Sequence, residues 1–161
     1  MRQSGTAFLS AASCLSIRNS LIDYNSLLPS SRYPLIKFNE EDLFHAAITP
    51  TPLYNAWARV DSTLYNSYSA NDLRKTIYFS GFGDSTFFFR GSYDASPALF
   101  LGIATDEAYL MRAECSARLG NKDAALADLN SLMIKRWADG TFIPFTANDP
   151  QGALEIILTE R

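Results

Sequence analysis

The sequence predicts a mainly α-helical fold, in which a scaffold of repeated helices carries an irregular loop region and a short β-hairpin. Three observations predict it. Apolar residues recur at helical spacing at both ends of the chain, two prolines interrupt the segment TPTPLYNAW, and two aromatic, β-branched segments flank the turn sequence GDS. The 161 residues, 47% of them apolar, suffice for one domain with a hydrophobic core.

The first 28 residues are predicted to form a helix of one repeat unit. Their apolar side chains fall into two adjacent columns at seven-residue spacing, which are Ala7, Cys14 and Leu21, and Phe8, Leu15 and Ile22. The segment FLSAASCLS also resembles the end of a bacterial lipoprotein signal, because Cys14 follows a run of small residues. Serines, however, interrupt the continuous apolar stretch of about 7–15 residues that a signal peptide requires. The two columns therefore favour a packed amphipathic helix over a lipidation signal.

Residues 29–101 are predicted to form the loop and β-hairpin region. The segment PSSRYP is a turn-rich break, and residues 34–39 and 43–48 have the composition of short extended segments. The prolines of TPTPLYNAW disfavour both a helix and a central strand, which indicates an ordered loop. Residues 74–82 and 86–93 are predicted to pair as a β-hairpin across the intervening Gly-Asp-Ser turn.

Residues 102–140 are predicted to form a helix-turn-helix repeat unit. The helix boundaries follow from capping and terminating residues, which are Thr105 or Asp106, then Gly120, Asn121 and Gly140. Because the connecting turn is short, the two helices should be antiparallel neighbours. Ala113 and Ala125 lie where a tetratricopeptide unit keeps small side chains for close helix contact.

A further helix is predicted to start within residues 148–161, with Asn148 or Asp149 as its cap and Pro150 in its first turn. The sequence then ends without a helix stop signal. We therefore expect the chain to be an internal piece of a longer protein, with residues 1–161 forming part of a single, incomplete domain.

Composition and motifs argue against several classes of function. The net charge of −3 and the scattered Lys and Arg residues provide no basic surface for nucleic acid. His45 is the one histidine, Cys14 and Cys115 are interpreted as free buried thiols, and neither a phosphate-binding loop nor a GxSxG elbow occurs. The acidic run at residues 40–42 is interpreted as a solvated turn. We therefore expect neither catalysis nor a metal or other cofactor.

Sugar binding is the function that the aromatic residues favour. They make up 13% of the chain and concentrate between residues 54 and 100. Aromatic faces pack on sugar rings, while amide and guanidinium groups satisfy the hydroxyls. The candidate ligand contacts are Tyr54, Trp57, Asn55 and Arg59. Core packing is the alternative for Trp57, and residues 87–89 and Trp137 are assigned to the core.

The sequence also resembles a known family. The segment GIATDEAYLMRAECSARLGNKDAALADLNSLMIKRW, followed by GTF and ALEIILTER, closely resembles the RagB/SusD family of bacterial glycan-binding outer-membrane lipoproteins. The pieces LIDYN, FNEEDLFH, VDSTLYNSY, NDLRKTIYF and FRGSY resemble the same family in the same order. The resemblance therefore covers nearly the whole chain.

This resemblance implies a superhelix of tetratricopeptide-like units with a loop-rich ligand face, in a non-enzymatic protein on the outer-membrane surface of Bacteroidetes. Such a protein captures an oligosaccharide or polysaccharide for uptake through a partner TonB-dependent, SusC-like transporter. Its lipid anchor would lie upstream of this chain, and the family's ligand contacts follow no fixed motif. The alternative function is a tetratricopeptide-type scaffold for protein–protein interaction, in which the aromatic residues are structural.

Overall fold

The structure, a computed structural model, describes residues 2–49, 58–83 and 85–161. Its helices in chain order are α1 (Arg2–Ile17), α2 (Ser62–Ser67), α3 (Arg74–Tyr78), α4 (Thr105–Arg118), α5 (Lys122–Met133) and α6 (Pro150–Glu160), with a 3-10 turn at Tyr24–Ser26. Its strands are β1 (Asp42–Phe44), β2 (Ala47–Ile48), β3 (Phe79–Gly81), β4 (Phe87–Phe89), β5 (Leu99–Phe100) and β6 (Ile103–Ala104). The predicted mainly α-helical fold is confirmed.

The helical scaffold is centred on α4, which packs against α1, α5 and α6. Ala113 of α4 and Ala125 of α5 are fully buried, and they share one core cluster with Leu129 and with Ile157 of α6. Small side chains at these positions let the two helix backbones approach closely. The predicted helix pair within residues 102–140 is confirmed.

Local signals at the starts of α5 and α6 act as predicted. Gly120, just after α4, has a φ of +86°, a conformation that favours glycine. Asn121 Oδ1 accepts a hydrogen bond from the backbone N–H of the third residue of α5, at 3.1 Å. Asp149 Oδ1 accepts from the third residue of α6 at 2.8 Å, and Pro150 occupies the first turn. Both helices therefore begin at the predicted caps.

The predicted side-chain cap of α4 is wrong. Ala104 precedes the helix, and no described side chain caps it. The Thr105 hydroxyl is buried and donates instead to the carbonyl oxygen of Glu41 at 3.2 Å. Asp106 Oδ1 accepts from its immediate neighbour, the N–H of Glu107, at 2.7 Å. The Thr105 hydroxyl therefore forms a long-range hydrogen bond and does not cap the helix.

Two helices end earlier than predicted. The first ends at Ile17 instead of near residue 28, because Ile22 is buried in a separate cluster with Tyr24 and Leu35 beneath the loop region. The helix α5 ends at Met133 instead of at residue 140. Beyond these ends, backbone groups bond to distant segments, and the N–H of Tyr24 donates to a carbonyl just after α5 at 2.9 Å. Tertiary hydrogen bonds replace the helical ones.

The strands form three two-stranded antiparallel ribbons, β1 with β6, β2 with β5, and β3 with β4. The predicted hairpin is confirmed, since Phe79 pairs with Phe89 and Gly81 with Phe87. Its first segment is shorter than predicted because residues 74–78 form α3. Residues 43–48 contain β-structure as predicted, whereas residues 34–39 form turns and bends.

Cys14 lies within α1, which confirms the helical interpretation of FLSAASCLS. It is half-buried, whereas Cys115 in α4 is buried, and both thiols are free. In the part of the chain that the structure describes, no helix combines the length and the hydropathy needed to cross a bilayer.

Candidate functional site

A buried ion pair joins the loop region to the segment after α5. Arg136 is 2% exposed and Glu41 is fully buried, and Arg136 Nη2 lies 2.6 Å from Glu41 Oε1. Both side chains also hold Ile22, whose carbonyl accepts from Arg136 Nη1 at 2.7 Å and whose N–H donates to Glu41 Oε1 at 2.9 Å. The predicted solvated turn at residues 40–42 is therefore wrong for Glu41 and for Asp42, which is also buried.

Three tyrosines lie around this ion pair. The Tyr93 hydroxyl donates to the Glu41 carboxylate and lies 3.2 Å from Asp106 Oδ2, and the hydroxyls of Tyr24 and Tyr78 are 2.9 Å apart. Burial raises the pKa of Tyr93 and of Tyr24 well above the ordinary value and raises the pKa of Tyr78 to about 12. The three phenols therefore stay protonated at neutral pH and act as fixed hydrogen-bonding groups.

A groove of about 560 Å³, which we call the tyrosine groove, runs along this network. Tyr78, Tyr93 and Asp106 form part of its wall, together with aromatic, small and acidic residues that include Phe89, Ser92, Phe100, Gly102 and Glu107. The groove presents ring faces beside a few hydrogen-bonding groups, which is the usual composition of a small-molecule site.

A second cavity of about 190 Å³ adjoins the tyrosine groove, and we call it the arginine cavity. Its lining residues are Tyr33, Ala58, Arg59, Val60, Phe89, Arg90, Ser92, Ser96, Pro97 and Leu99. Phe89, Ser92 and Leu99 line both spaces. The guanidinium carbon of Arg59 lies 3.6 Å from the ring centre of Phe82, which is a cation–π contact.

Arg90 is fixed in the wall of the arginine cavity by backbone oxygens. Its Nη1 donates to the carbonyl of Ser31 at 2.6 Å, and its Nη2 donates to the carbonyls of Pro29 at 2.6 Å and Thr76 at 2.5 Å. Burial lowers the pKa of Arg90 below its ordinary value. The side chain thus crosslinks the segment before β1 to α3 while its positive charge stays in the wall of the cavity.

Two buried polar atoms in this wall lack a partner among the described residues. They are Nε of Arg90 and Oγ of Ser92, and Ser92 is 4% exposed. Buried polar groups nearly always have a hydrogen-bond partner, so these two unsatisfied atoms depart from the usual pattern. Both are donors of the kind that a sugar hydroxyl or an anion accepts from.

Glycine at position 91 explains how the motif FRGSY places these two residues. A Cβ at Gly91 would overlap the Tyr78 ring and lie 2.9 Å from Tyr78 Cα. The N–H of Arg90 donates to the Tyr78 carbonyl at 2.7 Å, so the chain passes directly against α3 at this point. Arg90 and Ser92 therefore flank a backbone approach that only glycine permits.

Comparison with known proteins gives a match for the fold. No protein-family model matches the sequence, and neither does any curated protein. A solved structure does match: it is described as a SusD-like carbohydrate binding protein from Bacteroides vulgatus ATCC 8482, with a TM-score of 0.70 and 22% identity over 99% of this chain. The chain has a SusD-like fold. It spans 38% of the length of that structure's chain, and the fold expected from the sequence resemblance is confirmed.

Within the SusD-like fold, the predicted ligand contacts divide into two groups. Tyr54, Asn55 and Trp57 lie outside the described residues. Arg59 is described and lines the arginine cavity, and its contact with a ligand stays a prediction. Trp137, assigned to the core, packs against the cluster of α4, α5 and α6.

The prediction that residues 87–89 of β4 fill a core is wrong for Phe89. Phe87 stacks on Tyr65 with ring centres 3.5 Å apart, but Phe89 is 40% exposed and lines both cavities. Sequence reasoning also missed Tyr33, Arg90 and Ser92. The glycine of FRGSY, whose neighbours carry a cation and a hydroxyl, is the sequence feature that could have indicated the last two.

The side chain of His45 lies between two carboxylates. His45 Nδ1 lies 2.5 Å from Asp42 Oδ2, and Nε2 lies 2.9 Å from Asp94 Oδ1, which Lys37 Nζ also approaches at 2.8 Å. Both ring nitrogens are occupied, so the imidazole links two loops and does not act as a poised base. Within the described ranges, no three His, Cys, Asp or Glu side chains are grouped to hold a metal ion.

We expect the stability of the SusD-like fold to decline as the pH rises above neutrality. The pKa of His45 is raised, first by its hydrogen bond to Asp42 and then by that to Asp94. A folded-state pKa above the unfolded value of about 6.5 means that this stabilisation is complete below about pH 6 and is lost as the pH rises through the folded pKa. In His45→Gln the melting temperature should change less between about pH 6 and 9. Equal pH dependence in both proteins would contradict the prediction.

Proposed function

We propose that this chain is the ligand-capturing part of a cell-surface glycan-binding protein, which delivers oligosaccharides to a partner TonB-dependent transporter and performs no catalysis. The observation that carries the proposal is the arginine cavity, which is lined by two aromatic residues, two arginines and Ser92 and lies beside the tyrosine groove. The SusD-like fold and the resemblance to the RagB/SusD family support it.

The chemistry of the cavity suits a sugar ring. The C–H face of a pyranose packs on aromatic rings such as Tyr33 and Phe89, and the hydroxyls accept hydrogen bonds from Arg59, Arg90 and Ser92. The adjoining tyrosine groove, about three times larger by its volume of about 560 Å³ against about 190 Å³, provides space for further residues of an oligosaccharide.

The proposed ligand contacts also include three residues of the TPTPLYNAW loop. Tyr54, Asn55 and Trp57 precede Ala58 and Arg59, the two residues with which the chain enters the cavity wall. Aromatic and amide side chains so close in sequence to the cavity would extend its contacts to the sugar.

The transporter partner and the location on the outer-membrane surface belong to the same proposal. They rest on the sequence resemblance to a family of outer-membrane lipoproteins. Reciprocal copurification from outer membranes with a TonB-dependent transporter, using a tagged protein, tests both. A protein recovered in the cytoplasmic fraction without such a transporter would contradict this part of the proposal.

Glycan binding is tested by affinity electrophoresis and calorimetry with neutral and acidic polysaccharides. We expect at least one polysaccharide to retard the protein, and Tyr33→Ala and Trp57→Ala to weaken binding of that ligand about tenfold, which corresponds to about 1.4 kcal/mol each. The matched control is Tyr109→Ala on the scaffold helix α4, which should bind as the wild type does. Failure of every polysaccharide to bind would contradict glycan capture.

One observation favours the alternative of a protein-interaction scaffold. The cross-strand partners Phe44 and Ile103 of the β1–β6 ribbon are 61% and 52% exposed, and nearby Leu101 is 60% exposed. Exposed apolar side chains grouped on one ribbon are typical of protein-binding surfaces. Binding that survives Tyr33→Ala but is lost in Phe44→Ser would favour this alternative.

A further inference from the structure

Resting on the proposed function, we infer that the arginine cavity selects an anionic sugar residue, one that carries a carboxylate or a sulfate group. The described residues that line the cavity carry positive charge only. They include Arg59 and Arg90, and none of them is Asp or Glu. The chain as a whole carries a net charge of −3, so this positive pair stands out locally.

Arg90 differs in its partners from the other arginines that are buried or half-buried. Those arginines are Arg74, Arg112 and Arg136, and each lies within 2.8 Å of a carboxylate oxygen. Within the described residues, the hydrogen bonds that the Arg90 guanidinium donates instead all go to neutral backbone carbonyls. A guanidinium withdrawn from water without a carboxylate is destabilised, and a bound anion would offset that cost.

The cavity wall also contains donors of the kind that an anion accepts from. Nε of Arg90 is buried and has no hydrogen-bond partner among the described residues, and the same holds for Oγ of Ser92. Both residues line the cavity. Arg59 is exposed and supplies a second cation, which can draw an anionic ligand inward from solvent. Charge-assisted hydrogen bonds from these groups are stronger than those to a sugar hydroxyl.

The size of the cavity limits the ligand that enters it. Its volume of about 190 Å³ is below the range of about 300–1,000 Å³ that is usual for drug-sized ligands. The arginine cavity therefore accommodates a single charged sugar residue, and the adjoining tyrosine groove accommodates its neutral neighbours. The specificity of the whole site would then depend on one acidic residue in the glycan.

Matched ligand pairs test this inference. Galacturonate oligosaccharides are compared with their methyl esters, and sulfated galactan oligosaccharides with their desulfated forms, by calorimetry with the 161-residue chain. For the carboxylated or the sulfated pair, we expect removal of the charge to weaken binding at least about tenfold and added salt to weaken only the charged form. The pair that responds identifies which anionic group the cavity takes.

Three variants locate the effect. Arg59→Gln should reduce the preference for the charged ligand to about threefold or less. Ser92→Ala should weaken binding without lowering the melting temperature, because the lost hydroxyl has no partner in the described structure. Arg118→Gln removes an arginine that pairs with Glu114 on α4 and serves as the charge-matched control, with unchanged selectivity expected.

The outcomes separate this inference from the proposed function. If neutral glycans bind as tightly as their charged counterparts, or if Arg59→Gln weakens both equally, anion selection is overturned and glycan capture stands. If no glycan of any charge binds, both are overturned. A charge preference that is retained in Arg59→Gln and in Ser92→Ala would also overturn the assignment, because it would arise elsewhere on the protein.

Discussion

Replacing Arg136 by alanine is expected to lower the free energy of unfolding by about 3–5 kcal/mol. The reason is that the substitution leaves the Glu41 carboxylate fully buried without its cation, and it removes the donor to the Ile22 carbonyl. Burial already raises the pKa of Glu41, whereas Arg136 lowers it, so removal of the cation should raise the pKa of the orphaned carboxyl further. Urea denaturation at pH 7 and at pH 5 measures both effects, and the loss should be smaller at the lower pH.

Two controls separate the effect of the unpaired buried charge from a general loss of stability on removing an arginine. Arg118→Ala removes an arginine from an exposed pair with Glu114, and such a pair contributes about 1 kcal/mol or less. The double variant Arg136→Met with Glu41→Gln removes both charges, so it should recover part of the loss. A loss below about 1 kcal/mol in Arg136→Ala, or no recovery in the double variant, would show that the ion pair does not hold the loop region to the scaffold.

Gly102→Ala is expected to lower the free energy of unfolding by about 3 kcal/mol and to disrupt the β1–β6 ribbon. A Cβ at this position would overlap the carbonyl oxygen of Phe44 and lie 2.5 Å from a ring carbon of Phe100. The backbone oxygen cannot move away as a flexible side chain could, because Phe44 is paired with Ile103 in the ribbon. Since Gly102 lines the tyrosine groove, ligand binding should weaken along with stability.

The matched control for Gly102→Ala is Gly5→Ala. Gly5 lies inside α1, and a Cβ there meets no described atom within 4 Å. Alanine should therefore raise the free energy of unfolding by about 0.5–1 kcal/mol, because glycine is a poor helix former. Denaturant midpoints and near-ultraviolet circular dichroism report both variants. Equal effects of the two substitutions would contradict the close contact at Gly102.

The candidate site was predictable only where a sequence feature acts over a short distance. Arg59 could be selected because it follows aromatic and amide residues in a proline-rich loop. Arg90 and Ser92 sit in an apparent strand, and nothing in their neighbours reveals that Tyr33 lies against the same cavity. The acidic run at residues 40–42 was misinterpreted because charge patterns predict solvation, whereas Glu41 meets a cation that lies 95 residues away in the chain.

The sequence by itself determined the helix pair at α4 and α5, the start of α6 and the hairpin of β3 and β4. Gly120, Asn121, Asp149 and the small residue Ala113 act on their own backbone or on an adjacent helix, so their effects can be read locally. Only the tertiary structure decided where α1 and α5 end, which carboxylates are buried and how the two cavities form. Each of these depends on the free energy of withdrawing polar groups from water, and that depends on partners that sequence spacing does not reveal.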